Sequence, residues 1–127
     1  PGGPVLLDAE CAWYGDPAFD AAFLLNHLLL KCAWRAESAA GYLDCFDGFA
    51  GTYLAGVDWE PAARLESRTA RLLAAMLLAR VDGKSPVEYL TDEAARARVR
   101  AFARSLLLGG ATGLAGIRDR WKREHAP

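Results

Sequence analysis

The chain has 127 residues, 15 basic against 16 acidic, for a formal net charge of −1; that length predicts one domain, and the near balance of charge leaves no net field to recruit nucleic acid or an anionic membrane. Ala and Leu supply 44 residues and Val, Ile and Thr only 10, which favours helices and nearly excludes a β-sandwich or barrel, because pleated surfaces prefer β-branched side chains. The longest apolar run, Leu106 to Ile117, has twelve residues including four glycines, too short and too broken to span a bilayer.

Pro1-Gly2-Gly3-Pro4 reads as a turn or a cut end, and Val5-Leu6-Leu7 as a short strand running into Asp8-Ala9-Glu10. A lone strand needs a partner. Later strand candidates are weak, so the pairing segment is expected upstream of residue 1. Asp16 is a good N-cap and Pro17 a good first helical residue, since proline lacks the amide that would go unsatisfied there. In the helix that follows, Phe19, Ala22, Phe23, Asn26, Leu29 and Leu30 keep helical spacing while Leu24, Leu25 and Leu28 fill the other faces. Such a helix should be buried nearly all round.

A second helix is expected from about Glu37 to Leu54, its Tyr42, Phe46, Phe49 and Tyr53 forming an aromatic core stripe. Trp59-Glu60-Pro61 opens a third, carrying Leu65, Leu72, Leu73, Met76, Leu77 and Val81 until Gly83 stops it. Arg64, Arg68 and Arg71 on its early polar face read as a solvated surface. Ser85-Pro86-Val87-Glu88 matches a capping box and predicts a short helix through Leu90. Thr91, Asp92 and Glu93 start another, with Val99, Phe102, Leu106 and Leu107 inward and Arg96, Arg98, Arg100 and Arg104 largely outward. Gly109-Gly110 breaks it, and a last amphipathic helix from about Gly113 to Glu124 buries Leu114, Ile117 and Trp121.

Cys11, Cys32 and Cys45 form no CxxC pair and leave one thiol over in any disulfide scheme. They read as small buried thiols in a reducing compartment, and with no basic n-region ahead of the first apolar residues a cytoplasmic location is expected. Gly83-Lys84-Ser85 lacks the upstream glycine of a Walker A loop, because Leu78 stands there. Gly109 to Gly113 follows a helix rather than a strand, which favours a helix-to-helix turn over a phosphate cradle. His27 lies on an apolar helix and reads as a core hydrogen-bonding group; His125 is near the chain end.

Chemistry concentrates between Val5 and Asp20. On extended chain, residues two apart point to the same side with Cα atoms about 6 to 7 Å apart, so Asp8 and Glu10 would aim two carboxylates at one point. Hard divalent cations, magnesium above all, take such oxygens together with substrate phosphates.

Val5-Leu6-Leu7-Asp8-Ala9-Glu10 followed by Trp13-Tyr14-Gly15-Asp16-Pro17-Ala18-Phe19-Asp20 resembles the metal-binding segment of the aminoglycoside phosphotransferase and choline kinase superfamily, a branch of the protein-kinase-like fold, and is closest to the form seen in methylthioribose kinases. The resemblance implies a mainly α chain, the helical C-terminal lobe of that fold with a short N-terminal β segment. It implies Asp8 and Glu10 as magnesium ligands on ATP, with Asp8 in the part of the kinase DFG aspartate. Asp20 would brace the catalytic loop as a buried carboxylate. Around Met76, Arg80 and Gly83 the spacing is similar to the helix that offers arginines to the substrate sugar, with Ala79 where a second arginine is expected. Arg80 is thus a candidate substrate contact or a helix-capping cation, and Asp82 could pair with it.

The 127 residues contain no Gly-rich loop, strand lysine or His-x-Asp with an asparagine five residues on, although γ-phosphoryl transfer depends on all of them. The expectation is therefore the C-terminal part of an ATP-dependent small-molecule phosphotransferase, inactive without its other part. A non-catalytic helical interaction module and a pseudokinase are the alternatives. The later helices are rich in arginine rather than acid, which favours a neutral or anionic hydroxylated acceptor.

Overall fold

The structure, a computed structural model, describes residues 3, 5, 12–110 and 113–125. Five α-helices follow in order: α1 (Ala18–Trp34), α2 (Ala39–Ala55), α3 (Ala62–Asp82), α4 (Glu93–Gly109) and α5 (Leu114–His125), with a 3₁₀ turn over Ala36–Ser38 leading into α2. The chain is mainly α, and no strand occurs among the described residues. The strand expected over Val5-Leu6-Leu7 lies outside them except for Val5, which is exposed.

Helix α1 lies between α2 and α3, and α3 between α1 and α4, so the two middle helices carry most of the packing. Leu25, Leu29 and Leu30 of α1 meet Leu73, Leu77 and Val81 of α3, with Phe46 from α2 and Val99 and Phe102 from α4 completing one cluster. Each such side chain contributes about 1.5–3 kcal/mol by leaving water. Helix α5 closes the bundle with Leu114, Ile117 and Trp121, the three residues expected to face inward. Trp121 meets the Phe102 ring edge-on at 4.9 Å and stacks on His125 at 3.9 Å.

Polar groups fix the ends. Asp92 caps α4 through the Ala94 and Ala95 amides, and Gly110 just beyond it takes φ 77°, a left-handed turn that only glycine enters at little cost. The Leu114 amide at the start of α5 donates to Glu66 Oε1 at 3.0 Å. A carboxylate of α3 thus occupies this helix N-terminus, leaving no room there for a phosphate. Asp82 binds Arg100 through two hydrogen bonds of 2.6 and 2.7 Å, tying α3 to α4, and Arg118 ties α5 to Asp47 of α2.

Several expectations are corrected. Helix α1 is not buried all round: Phe19, Phe23 and Leu24 are 54%, 43% and 41% exposed, because α2 and α3 take only the face bearing Ala22, Leu25 and Leu29. Leu107 is exposed in the last turn of α4, one step past the inward Leu106. On α2 only Leu43 and Phe46 are fully buried; Cys45, pointing away from them, is exposed. Cys32 is buried as expected. Its thiol donates to Leu28 O, and burial pushes its pKa up to about 11, which keeps it protonated and inert. Cys11 lies outside the described residues.

The short helix through Leu90 does not form; Glu88 and Tyr89 make a turn instead. The Ser85 hydroxyl is engaged by Arg80 Nη1 at 3.3 Å, and the Val87 amide donates back to Arg80 O, so the capping groups are spent on α3. Val87 and Leu90 then drop into the core. Gly83 is the hinge of this return: a Cβ built there would stand 2.3 Å from Ala79 O. Gly83→Ala is expected to push the last turn of α3 aside and cost about 1–3 kcal/mol by overpacking, read as a lowered urea midpoint at unchanged m-value.

Candidate functional site

The start of α1 is built from the top of the sequence motif. Asp16 caps the helix: its carbonyl accepts the Phe19 amide and its Oδ1 the Ala18 amide, each at 3.0 Å. The same carboxylate receives Arg68 of α3 through Nε at 2.8 Å and Nη2 at 3.1 Å. Arg68 turns its other edge to Glu60, with bonds of 2.9 and 2.6 Å. One guanidinium thus clasps two carboxylates in the forked geometry that suits it. The Arg68 hydrogen bonds hold the Asp16 carboxyl below the usual aspartate range, with the Ala18 amide adding to the effect, and they lower Glu60 as well.

Beside this clasp opens a cleft of ≈ 720 Å³ whose walls include Trp13, Gly15, Asp16, Phe19, Asp20 and Leu72. Asp20, in the first turn of α1, is exposed. In this chain position 20 lies on the face of α1 that α2 and α3 leave open, where a loop such as the one expected to bury it could pack. Tyr53 of α2 has its pKa raised, first by burial and then by the negative charges of Asp20 and Asp16. The cleft is acidic at its helix end.

Asp8 and Glu10, the expected metal ligands, lie outside the described residues. Among those described, no group of three His, Cys, Asp or Glu side chains gathers to hold a metal. Asp16 has both oxygens engaged by Arg68, so among the described residues lining the cleft Asp20 is the carboxylate open to a cation or a loop.

Arg80 sits at the opposite end of the exposed α1 face. Its Nη1 donates to Ser85 O at 2.7 Å, the helix-capping role, while its guanidinium carbon stands 5.9 Å from the Phe23 ring. Asp82 does not pair with it, being committed to Arg100. The site reaches further than local patterns indicated. His27 Nδ1 lies 3.1 Å from the Tyr89 hydroxyl, its ring meets Phe23 edge-on at 4.9 Å, and Lys31 stands 5.2 Å from the Tyr89 ring and 5.5 Å from that of Trp34. The four-residue spacing of Phe19, Phe23, His27 and Lys31 is the signal that could have shown this face as one stripe; the turn that returns Tyr89 to it has no signature in the local sequence. Asn26 is fully buried beside His27, with neither side-chain polar atom bonded among the described residues.

Burial, and then the charges of Arg80 and Lys31, lower the pKa of His27 from 6.5; burial lowers that of His125 from the same value. A base whose folded pKa is depressed costs nothing above the unfolded pKa, where both states are neutral. As pH falls below 6.5 the unfolded chain gains protons that the folded chain refuses. Stability is therefore expected to fall from pH 7 towards pH 5, and His27→Gln with His125→Gln should flatten that slope in a series of thermal melts.

The chain matches no family model, no curated protein and no solved structure. No helix among the described residues is long and apolar enough to cross a membrane.

Proposed function

We propose that these residues are the helical C-terminal part of an ATP-dependent phosphotransferase that moves the γ-phosphoryl group of ATP to a hydroxyl of a small molecule. The observation that carries this is the run Asp8-Ala9-Glu10 leading through Trp13-Tyr14-Gly15-Asp16-Pro17 into a helix whose first turn presents Asp20 to an open cleft. The helical build of the described residues agrees with the fold the motif implies. A kinase-like C-terminal lobe is the finer form of that proposal.

Asp8 and Glu10 would hold magnesium, with carboxylate oxygens of the hardness this cation prefers. Bound there, the cation would neutralise charge on the transferring phosphates. Asp16, bonded to Arg68, starts α1 in a fixed direction and sets where the preceding segment enters the cleft. Asp20 would act as a positioning residue, accepting backbone amides from the loop that carries the catalytic base. Arg80 would face the acceptor. In this reading the protein works in the cytoplasm on ATP and a small hydroxylated substrate, and binds neither nucleic acid nor membrane.

The test is metal uptake in the motif. Mn²⁺ titrated into the ¹⁵N-labelled chain is expected to broaden the amide signals of Ala12 to Asp20 first, and Glu10→Ala should remove that preference. Uniform broadening across the chain in both proteins would sink the assignment. The exposed Phe19, Phe23 and Leu24 favour a second function, docking of a partner protein with no chemistry; such a protein would show no motif-centred response to the metal.

A further inference from the structure

We propose that the face formed by His27 and Lys31 of α1, Arg80 of α3 and Tyr89 of the following turn is an oxyanion site, and that the phosphoryl acceptor bears a carboxylate or phosphate which seats there. The second half rests on the function proposed above; the site itself does not.

Three basic side chains converge on one half-buried face. Lys31 is held against two rings, Tyr89 and Trp34, and Arg80 against Phe23, so neither cation is free to disperse into solvent as an ordinary surface charge does. His27 is wedged between them, its ring on Phe23 and its Nδ1 on the Tyr89 hydroxyl. No carboxylate among the described residues bonds Lys31, Arg80 or His27. Elsewhere the arginines that join helices do carry an acid: Arg68, Arg100 and Arg118 each have theirs. The Arg80 Nη1 donates to the Ser85 carbonyl and hydroxyl at the surface, while its Nε, turned inward, has no hydrogen-bond partner among the described residues. Like charges gathered at fixed positions, with no carboxylate among the described residues bonded to them, are the arrangement an incoming oxyanion relieves. The Phe19, Phe23 and His27 rings pave the surface between this patch and Asp20. An acceptor lying along them would have its anionic end at Arg80 and Lys31 and its hydroxyl towards the cleft.

His27 is a built-in reporter, because an anion beside it must raise its pKa. In ¹H NMR titrations of the imidazole, saturating inorganic phosphate or gluconate is expected to move the His27 midpoint upward while His125, on α5, stays in place. Ribitol, a neutral polyol, should leave both unchanged. Lys31→Gln, which breaks no hydrogen bond of the fold, is expected to weaken either anion about tenfold, the scale of one charge-assisted bond, and Arg80→Gln at least as much. Equal shifts of both histidines, ribitol acting as gluconate does, or full affinity in Lys31→Gln would overturn the site. A response to phosphate with none to gluconate or any hydroxylated phosphate would keep the site and overturn the acceptor assignment. Anion binding retained in a full-length protein that transfers no phosphoryl group would sink the proposed function and leave the site standing.

Discussion

If the protein moves phosphoryl groups as proposed, replacing Asp8 by alanine in the full-length protein is expected to lower turnover about a thousandfold or more while leaving the thermal melting curve in place. A metal that neutralises a transferring phosphoryl group supplies several kcal/mol of transition-state stabilisation, and each 1.36 kcal/mol is tenfold in rate. The loss should fall on kcat with ATP saturating. Because the buried cluster that holds α1 to α5 together is built from residues of the described helices, far-UV circular dichroism should match the wild type. A variant within tenfold of normal turnover would remove Asp8 from the reaction. Asp20→Ala, in contrast, should under the proposed function lower the rate of the full-length protein with little change in the melting of this chain, because its carboxylate is exposed on the first turn of α1.

The largest effect on stability is expected at Trp121. The side chain is 1% exposed, edge-on to Phe102 and stacked on His125. Trp121→Ala should cost about 3–5 kcal/mol, the transfer of the indole plus the cavity left behind, against a total that for a domain this size is about 5–15 kcal/mol. Helix α5 would then lose its anchor, since its other two buried residues, Leu114 and Ile117, lie towards its first turns. Trp121→Phe should recover more than half of the loss by keeping the ring on Phe102. Chemical denaturation followed at 222 nm measures both. Fluorescence is the poorer probe, because Trp13, Trp34 and Trp59 are all partly exposed.

The helices were legible where one residue carried a local instruction. Asp92 followed by an acidic first turn marked the start of α4, Gly110 its end, and the spacing of Leu114, Ile117 and Trp121 the inward face of α5. Failures came where a distant group claimed the same atoms. Ser85 reads as a cap until Arg80 takes its hydroxyl and carbonyl; Phe19 and Phe23 read as core until the packing of α2 and α3 is seen to need only one side of α1. At the site, Asp16 was recognisable as a helix start, and Arg68, in a row of three arginines, was not recognisable as its partner. The two are 52 positions apart, and no periodicity spans that distance. Asp82 pairs with Arg100 rather than with its near neighbour Arg80 for the same reason: helix geometry aims it at α4.

The Arg68 clasp has a consequence for motion. It links the segment before α1 to α3 through two hydrogen bonds to Asp16, and the same side chain holds Glu60, just before α3, through two more, while the core below it depends on apolar contacts from other residues. Cutting it with Arg68→Met should leave slow amide exchange intact in α3 and accelerate it at Ala18 and Phe19. The approach to the helix would then fray as an independent local opening, uncoupled from global unfolding.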